Sequence, residues 1–187
     1  MKGKFWVIWG TAVLLILLTT QWVWGFPTGI TGYSGNPATG GSTCAQCHNT
    51  GQIPTVTISG PTTVAVNDLV TYILTISGGQ EVAGGLDVST TGGILDILPG
   101  ATDTREFNGE ITHTEPKLAD ENGIVTFSFQ WQAPATGGKI IFYGAGNSVD
   151  LMNMNMGDAP NTTTLAITVA AFTEKIYLPT IMRSDQE

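Results

Sequence analysis

Positive charge is scarce in this chain: 7 Lys and Arg stand against 15 Asp and Glu, and charged residues of either sign make up only 12% of 187 residues. An ordinary soluble domain carries ~25%. The net charge of −8 repels phosphate backbones and anionic headgroups, which excludes a nucleic-acid binder. Histidine and cysteine are equally sparse, two of each. No Ser-His-Asp or paired-carboxylate arrangement follows from the spacing, and a hydrolase would lack its base. Beyond residue 25 there is no helical period, and no repeat of fixed length occurs. The hydrophobic content of 42% is nevertheless enough for a core, so wholesale disorder is excluded.

The one long apolar run is at the start. Lys2 and Lys4 precede Phe5–Leu18, and Val23-Trp24-Gly25 follows. A positive n-region, an apolar h-region and a small residue at the cut read as a secretory signal over residues 1–25, with Phe26 as the mature N-terminus. Uncleaved, the same segment is about long enough to anchor the chain in a membrane. Either outcome predicts an extracytoplasmic protein, whether secreted, periplasmic or at the cell surface. Loss of Lys2 and Lys4 would take the net charge from −8 to −10.

What remains falls into three parts. Residues 26–54 are Gly-rich, and their first stretch (26–43) has neither strand nor helix period, so it must be pinned by something other than its own packing. Residues 55–170 carry short Val/Ile/Thr/aromatic runs between Gly, Pro, Asn and Asp, with strands predicted at 55–59, 69–77, 85–90, 94–98, 108–114, 124–132, 139–145 and 163–170. Alternation puts Val70, Tyr72, Leu74 and Ile76 on one face, and likewise Val125, Phe127, Phe129 and Trp131. Trp131, Phe127, Phe129 and Phe142 read as core rather than as an electron relay. About eight strands without helices predict an all-β, antiparallel, immunoglobulin-like sandwich preceded by an N-terminal loop. Residues 147–160 read as a long loop, and 171–187 as a C-terminal tail.

Both cysteines belong to one motif, Cys44-Ala45-Gln46-Cys47-His48. This is the C-x-x-C-H form of a c-type haem attachment site. Two thiols three positions apart can add to the two vinyl groups on one porphyrin edge, and the next imidazole is carried under the iron. One covalent haem c, held by Cys44 and Cys47 with His48 as an axial ligand, is therefore the expected cofactor. A disulfide between the two cysteines, favoured by export, competes. So does a zinc site, which would need four ligands with only His48 and His113 left to complete it.

The stretch Gly32-Tyr33-Ser34-Gly35 with Cys44–His48 resembles the N-terminal signature of bacterial exported "choice-of-anchor V" domains, which are Reeler-like. The resemblance continues through Ile111-Thr112-His113-Thr114, Phe129-Gln130-Trp131-Gln132-Ala133-Pro134, Ile141–Asn147 and Gly157-Asp158, covering nearly all of 29–170. It implies a β-sandwich with the C-x-x-C-H segment packed on it. Members often end in a membrane or sorting anchor, which this C-terminal segment does not resemble.

His113 lies outside the motif, in the strand-like run Glu110–Glu115. It is the expected sixth ligand, at a position where the related domains also show a histidine. Met152, Met154 and Met156 are the alternative, since a thioether is a common sixth ligand and raises the potential. Asp150, Asp158 and Asn147 could hold a cation but match no calcium loop. The expected function is one-electron transfer by an exported monohaem cytochrome, without enzymatic turnover. Its partners would be a redox protein or other haem subunits, with homo-oligomerisation left open. A surface binding module with a structural haem is the alternative, and a sensor or peroxidase with an open sixth site is a third.

Overall fold

The computed structural model describes residues 26–152 and 156–171. The signal assigned to residues 1–25, Met154 and nearly all of the tail lie outside the described residues. Within the described residues eleven strands follow one another: β1 (Thr55–Ser59), β2 (Thr63–Ala65), β3 (Leu69–Ser77), β4 (Ala83–Thr90), β5 (Ile94–Ile97), β6 (Thr104–Phe107), β7 (Glu110–His113), β8 (Lys117–Leu118), β9 (Ile124–Gln132), β10 (Gly138–Val149) and β11 (Ala159–Ala170). They form two packed sheets, as the alternating apolar pattern requires. One has the order β1-β3-β9-β5; the other runs β2-β11-β10-β4-β7-β6, with β8 beside β4. The pairing is antiparallel except where β2 runs parallel to the end of β11.

The core lies between the sheets. Tyr72, Leu74, Phe127, Phe129 and Trp131 from the smaller sheet meet Val88, Ile111, Phe142 and Ile167 from the larger, all fully buried. The rings pack edge to face, with Trp131 and Phe142 at 5.2 Å and Tyr72 and Phe142 at 4.8 Å between centroids, a geometry that stabilises beyond area burial alone. Trp131 Nε1–H donates to Gly92 O at 2.9 Å. These aromatics are the packed interior that the sequence pattern indicated.

Residues 147–160 are not one long loop. β10 continues to Val149 and β11 begins at Ala159, with Asn147 paired to Pro160 and Ser148 to Ala159. Asn and Pro are poor strand formers, so local composition hides this extension. Pro160 is tolerated because β11 is an edge there: β2 pairs only with its other end.

The feature that positions the site is β4, which is buried from Ala83 to Ser89 on both faces. Leu86 and Val88 join the core, and a Cβ on Gly84 would press on Ile76. Ala83, Gly85, Asp87 and Ser89 therefore point outward. Asp87 and Ser89 are covered by the N-terminal segment, which crosses the outer face of the larger sheet, and Gly85 by the His113 ring.

Candidate haem site

The N-terminal segment has almost no regular structure. Its residues Pro37–Thr39 and Cys44–Gln46 form single 3-10 turns, joined by a bridge between Ser34 and Thr43. Asn36 caps the first turn through Oδ1, which accepts from Ala38 N–H at 3.0 Å. Cys47 N–H and His48 N–H both donate to Cys44 O, at 3.2 and 3.0 Å. This turn places Cys44, Cys47 and His48 within one compact loop that packs over β10 and β11.

Cys44 and Cys47 are both thiols, with no disulfide between them. Cys44 is half-buried in that loop, close enough to Asp87 to feel its charge. Desolvation first, and then the charge of Asp87, push the thiol's pKa up to about 12.

His48 is oriented by a carboxylate from the far end of the chain. Its Nδ1 lies 3.0 Å from Asp158 Oδ2, and the Asp158 side chain is only 5% exposed. Asp158 Oδ1 accepts from Asp150 N–H at 3.1 Å, while its carbonyl accepts from Thr50 and Gly51 N–H at 3.2 and 2.9 Å. Gly157 N–H donates to Thr50 Oγ1 at 2.7 Å. A Cβ on Gly51 would overlap Gly157 O, so this close approach requires glycine. With Nδ1–H given to a carboxylate, Nε2 becomes the lone-pair nitrogen, which is the arrangement that metal-bound imidazoles use.

Two thiols in one turn, followed by an imidazole with Nε2 available, fit the proximal half of a c-type haem site. The distal half is different. His113 lies over Gly85, whose Cβ would sit 2.6 Å from His113 Cε1. Its Nδ1 accepts from Leu86 N–H at 3.1 Å, and a further hydrogen bond runs to the Phe26 backbone. Burial holds its pKa below the usual histidine value. In register, Asp158 immediately precedes β11, whereas Gly85 belongs to β4, with β10 in between. Among the described residues no hydrogen bond or ion pair joins His48 to His113; each ring is held by its own partner, Asp158 for one and Leu86 for the other.

The methionine segment, by contrast, adjoins His48. Met152 and Met156 are 73% and 62% exposed, on the connection whose Gly157 and Asp158 pack against Thr50 and Gly51. Ile53 and Leu151 are also exposed there. Asp158 is the functional residue that spacing missed as a histidine partner, being 110 positions from His48. Its carboxylate is committed to His48 and Asp150 N–H. Among the described residues no three His, Cys, Asp or Glu side chains form a metal-binding group.

No family model and no curated protein matches the chain. Among solved structures, the chain is similar to the PKD domain of an M14-like peptidase from Thermoplasmatales archaeon SCGC AB-540-F20, at 15% identity and a TM-score of 0.39, over 65% of this chain and 97% of that one.

Proposed function

We propose that this chain is an exported monohaem c-type protein that transfers single electrons. When bound, the haem supplies a one-electron iron couple. Cys44 and Cys47 would hold it through thioethers, and His48 would offer Nε2 to the iron. Asp158 holds His48 in the tautomer and orientation that ligation needs. The observation that carries this reading is the His48 Nδ1–Asp158 contact at 3.0 Å, within a turn that also bears both thiols. Ile53, Leu151, Met152 and Met156 give that end of the molecule an apolar rim, suited to a partner that must approach closely without ionic steering.

Of the two sources expected for the sixth ligand, the geometry favours the methionine segment. Met152 and Met156 lie on the connection that leads into Asp158, whereas Nδ1 of His113 is taken by Leu86 N–H at 3.1 Å. Imidazole–thioether ligation raises the potential relative to two imidazoles.

A second reading, a surface module with a structural haem, is favoured by the opposite face. Thr55, Thr57, Ser59, Thr71, Thr126 and Gln132 point outward from the smaller sheet and carry no charge.

The deciding experiment is expression of the full chain with a cytochrome c maturation system, followed by acid and organic extraction and intact mass. The expected product keeps one haem after extraction and loses it in a Cys44→Ser/Cys47→Ser variant. Colour that extracts fully, or a double variant that stays equally red, overturns the proposal. Rapid reduction and reoxidation by small redox proteins supports electron transfer over the structural alternative.

A further inference from the structure

Three consecutive residues of the N-terminal segment are held by side chains of the sheet beneath. Gly32 N–H donates to Glu110 Oε2, Tyr33 N–H donates to Asp87 Oδ2 at 2.7 Å, and Ser34 Oγ pairs with Ser89 Oγ at 2.8 Å. Asp87 stands opposite Thr112 and Val88 opposite Ile111, so Glu110 falls beside Ser89 and diagonal to Asp87 on the outward face. The two carboxyl-bearing residues are 1% and 5% exposed. Asp87 Oδ1 meets no donor from any protein group, yet the two carboxyls are within hydrogen-bonding reach of each other. A hydrogen bond between two carboxyl groups requires a proton, and one shared proton gives Asp87 Oδ1 the partner it lacks.

We propose that the Asp87–Glu110 pair is a proton-operated latch that clamps residues 32–34 to the sheet when it shares a proton and lets the Cys44-bearing segment lift when it does not. This goes beyond the haem reading and holds for the polypeptide itself. The clamp reaches the motif through short links: Ser34 bridges to Thr43, Gly35 N–H donates to Ser42 O at 2.9 Å, and Cys44 follows Thr43 directly.

Loss of the proton leaves two buried negative charges in contact, each having exchanged water for backbone N–H donors alone. Moving the segment away restores solvent to both. Burial and the charge of Glu110 push Asp87 up to about 8, against the opposing amide hydrogen bonds of Tyr33 and Ser34. The other ionisable groups around the pair are few. The Cys44 thiol is near enough to feel the charge of Asp87. Arg105, opposite Thr112 on β6, spends Nη2 on Gly29 O at 3.3 Å. His113 ends β7, and the Tyr143 phenol stands opposite Ser89 on β10.

The test uses the full chain without haem and follows alkylation of Cys44, with Cys47 as internal reference, between about pH 6 and about pH 9.5. The expected result is a Cys44-to-Cys47 ratio that rises about tenfold across that range, with faster amide exchange at Gly32 and Tyr33. In Asp87→Asn and Glu110→Gln a carboxamide NH₂ supplies the bridging donor at every pH, so the ratio stays low and flat. Asp87→Asn also removes the charge that raises the Cys44 pKa, so Glu110→Gln, which keeps Asp87, is the variant that separates the latch from the thiol's own titration. A flat wild-type profile, or a variant with native near-UV dichroism that still shows the rise, overturns the latch. Amide exchange in the wild type decides independently of both, and rates at Gly32 and Tyr33 that rise no faster than those of the core strands overturn the latch.

Discussion

Replacing Asp158 by Asn tests the proximal site at a single proton. The carboxylate accepts two hydrogen bonds, from His48 Nδ1 at 3.0 Å and from Asp150 N–H at 3.1 Å. A carboxamide can accept only one of them, because its other end is an NH₂ donor. The backbone N–H of Asp150 cannot change its role, whereas a neutral imidazole can change tautomer. The amide oxygen therefore stays with Asp150, the NH₂ turns to His48, and Nδ1 becomes the acceptor. The His48 proton then moves to Nε2, the atom that should ligate iron. Partners of this kind are worth about 10- to 100-fold in ligand affinity, or roughly 1.4–2.8 kcal/mol at 1.4 kcal/mol per tenfold step. In the protein without haem, nitrogen-15 shifts of His48 should report Nδ1–H in the wild type and Nε2–H in Asp158→Asn. In the loaded protein the variant should release its proximal ligand more readily to acid or to competing imidazole. An unchanged tautomer in Asp158→Asn, with the fold intact, would refute the argument that Asp158 sets it.

Three further outcomes follow from the same geometry. His113→Ala leaves Leu86 N–H without its partner, so chemical denaturation should show a loss of about 1–3 kcal/mol; the loaded protein should keep its low-spin spectrum, and conversion to high spin would put His113 on the iron after all. Stability should fall as pH rises from the ordinary carboxylate range towards about 8, because the folded state retains at Asp87 a proton that the unfolded chain releases; His113, held neutral, works in the opposite direction below about 6.5, and Asp87→Asn should abolish the first slope while leaving the second in thermal melts. Trp131→Ala removes a fully buried indole together with its bond to Gly92 O, and urea unfolding should show a loss of about 3–5 kcal/mol; a loss under ~1 kcal/mol would mean that the core closes around the gap.

Strands whose two faces differ in polarity were readable from the chain alone. In β3 and β9 the alternating residues Tyr72, Leu74, Ile76 and Val125, Phe127, Phe129, Trp131 are the buried sets, and both strands have the boundaries expected. β2, β6 and β8 were not readable, being two to four residues long and held by neighbours rather than by pattern. β4 was placed at 85–90, although its pairing begins at Ala83. Ala83-Gly84-Gly85 carries no strand signal, and a backbone buried on both faces there depends on a covering segment from elsewhere in the chain. The site divides in the same way. Cys44, Cys47 and His48 were visible because their geometry is local, set by one turn. Asp158, Asp87 and Glu110 act through contacts that span 54 to 110 positions, and no spacing rule relates such residues to the groups they hold.

The long contact between His48 and Asp158 also fixes a timetable. A ribosome delivers roughly 5–20 residues per second, so the turn bearing Cys44 and Cys47 emerges some 5–20 s before the residues of β10 and β11 on which it rests. During that interval the floor of the site does not yet exist, and Cys44 is an ordinary accessible thiol. Only when Asp158 arrives can the turn dock, and docking is what drives the thiol's pKa to about 12 and withdraws its reactivity. Any covalent chemistry at Cys44 thus has a natural window, opened by the order of synthesis and closed by the completion of the sheet. In a chain whose earlier-made segment waits for later-made strands, Cys44 stands open before the sheet closes and shielded after it.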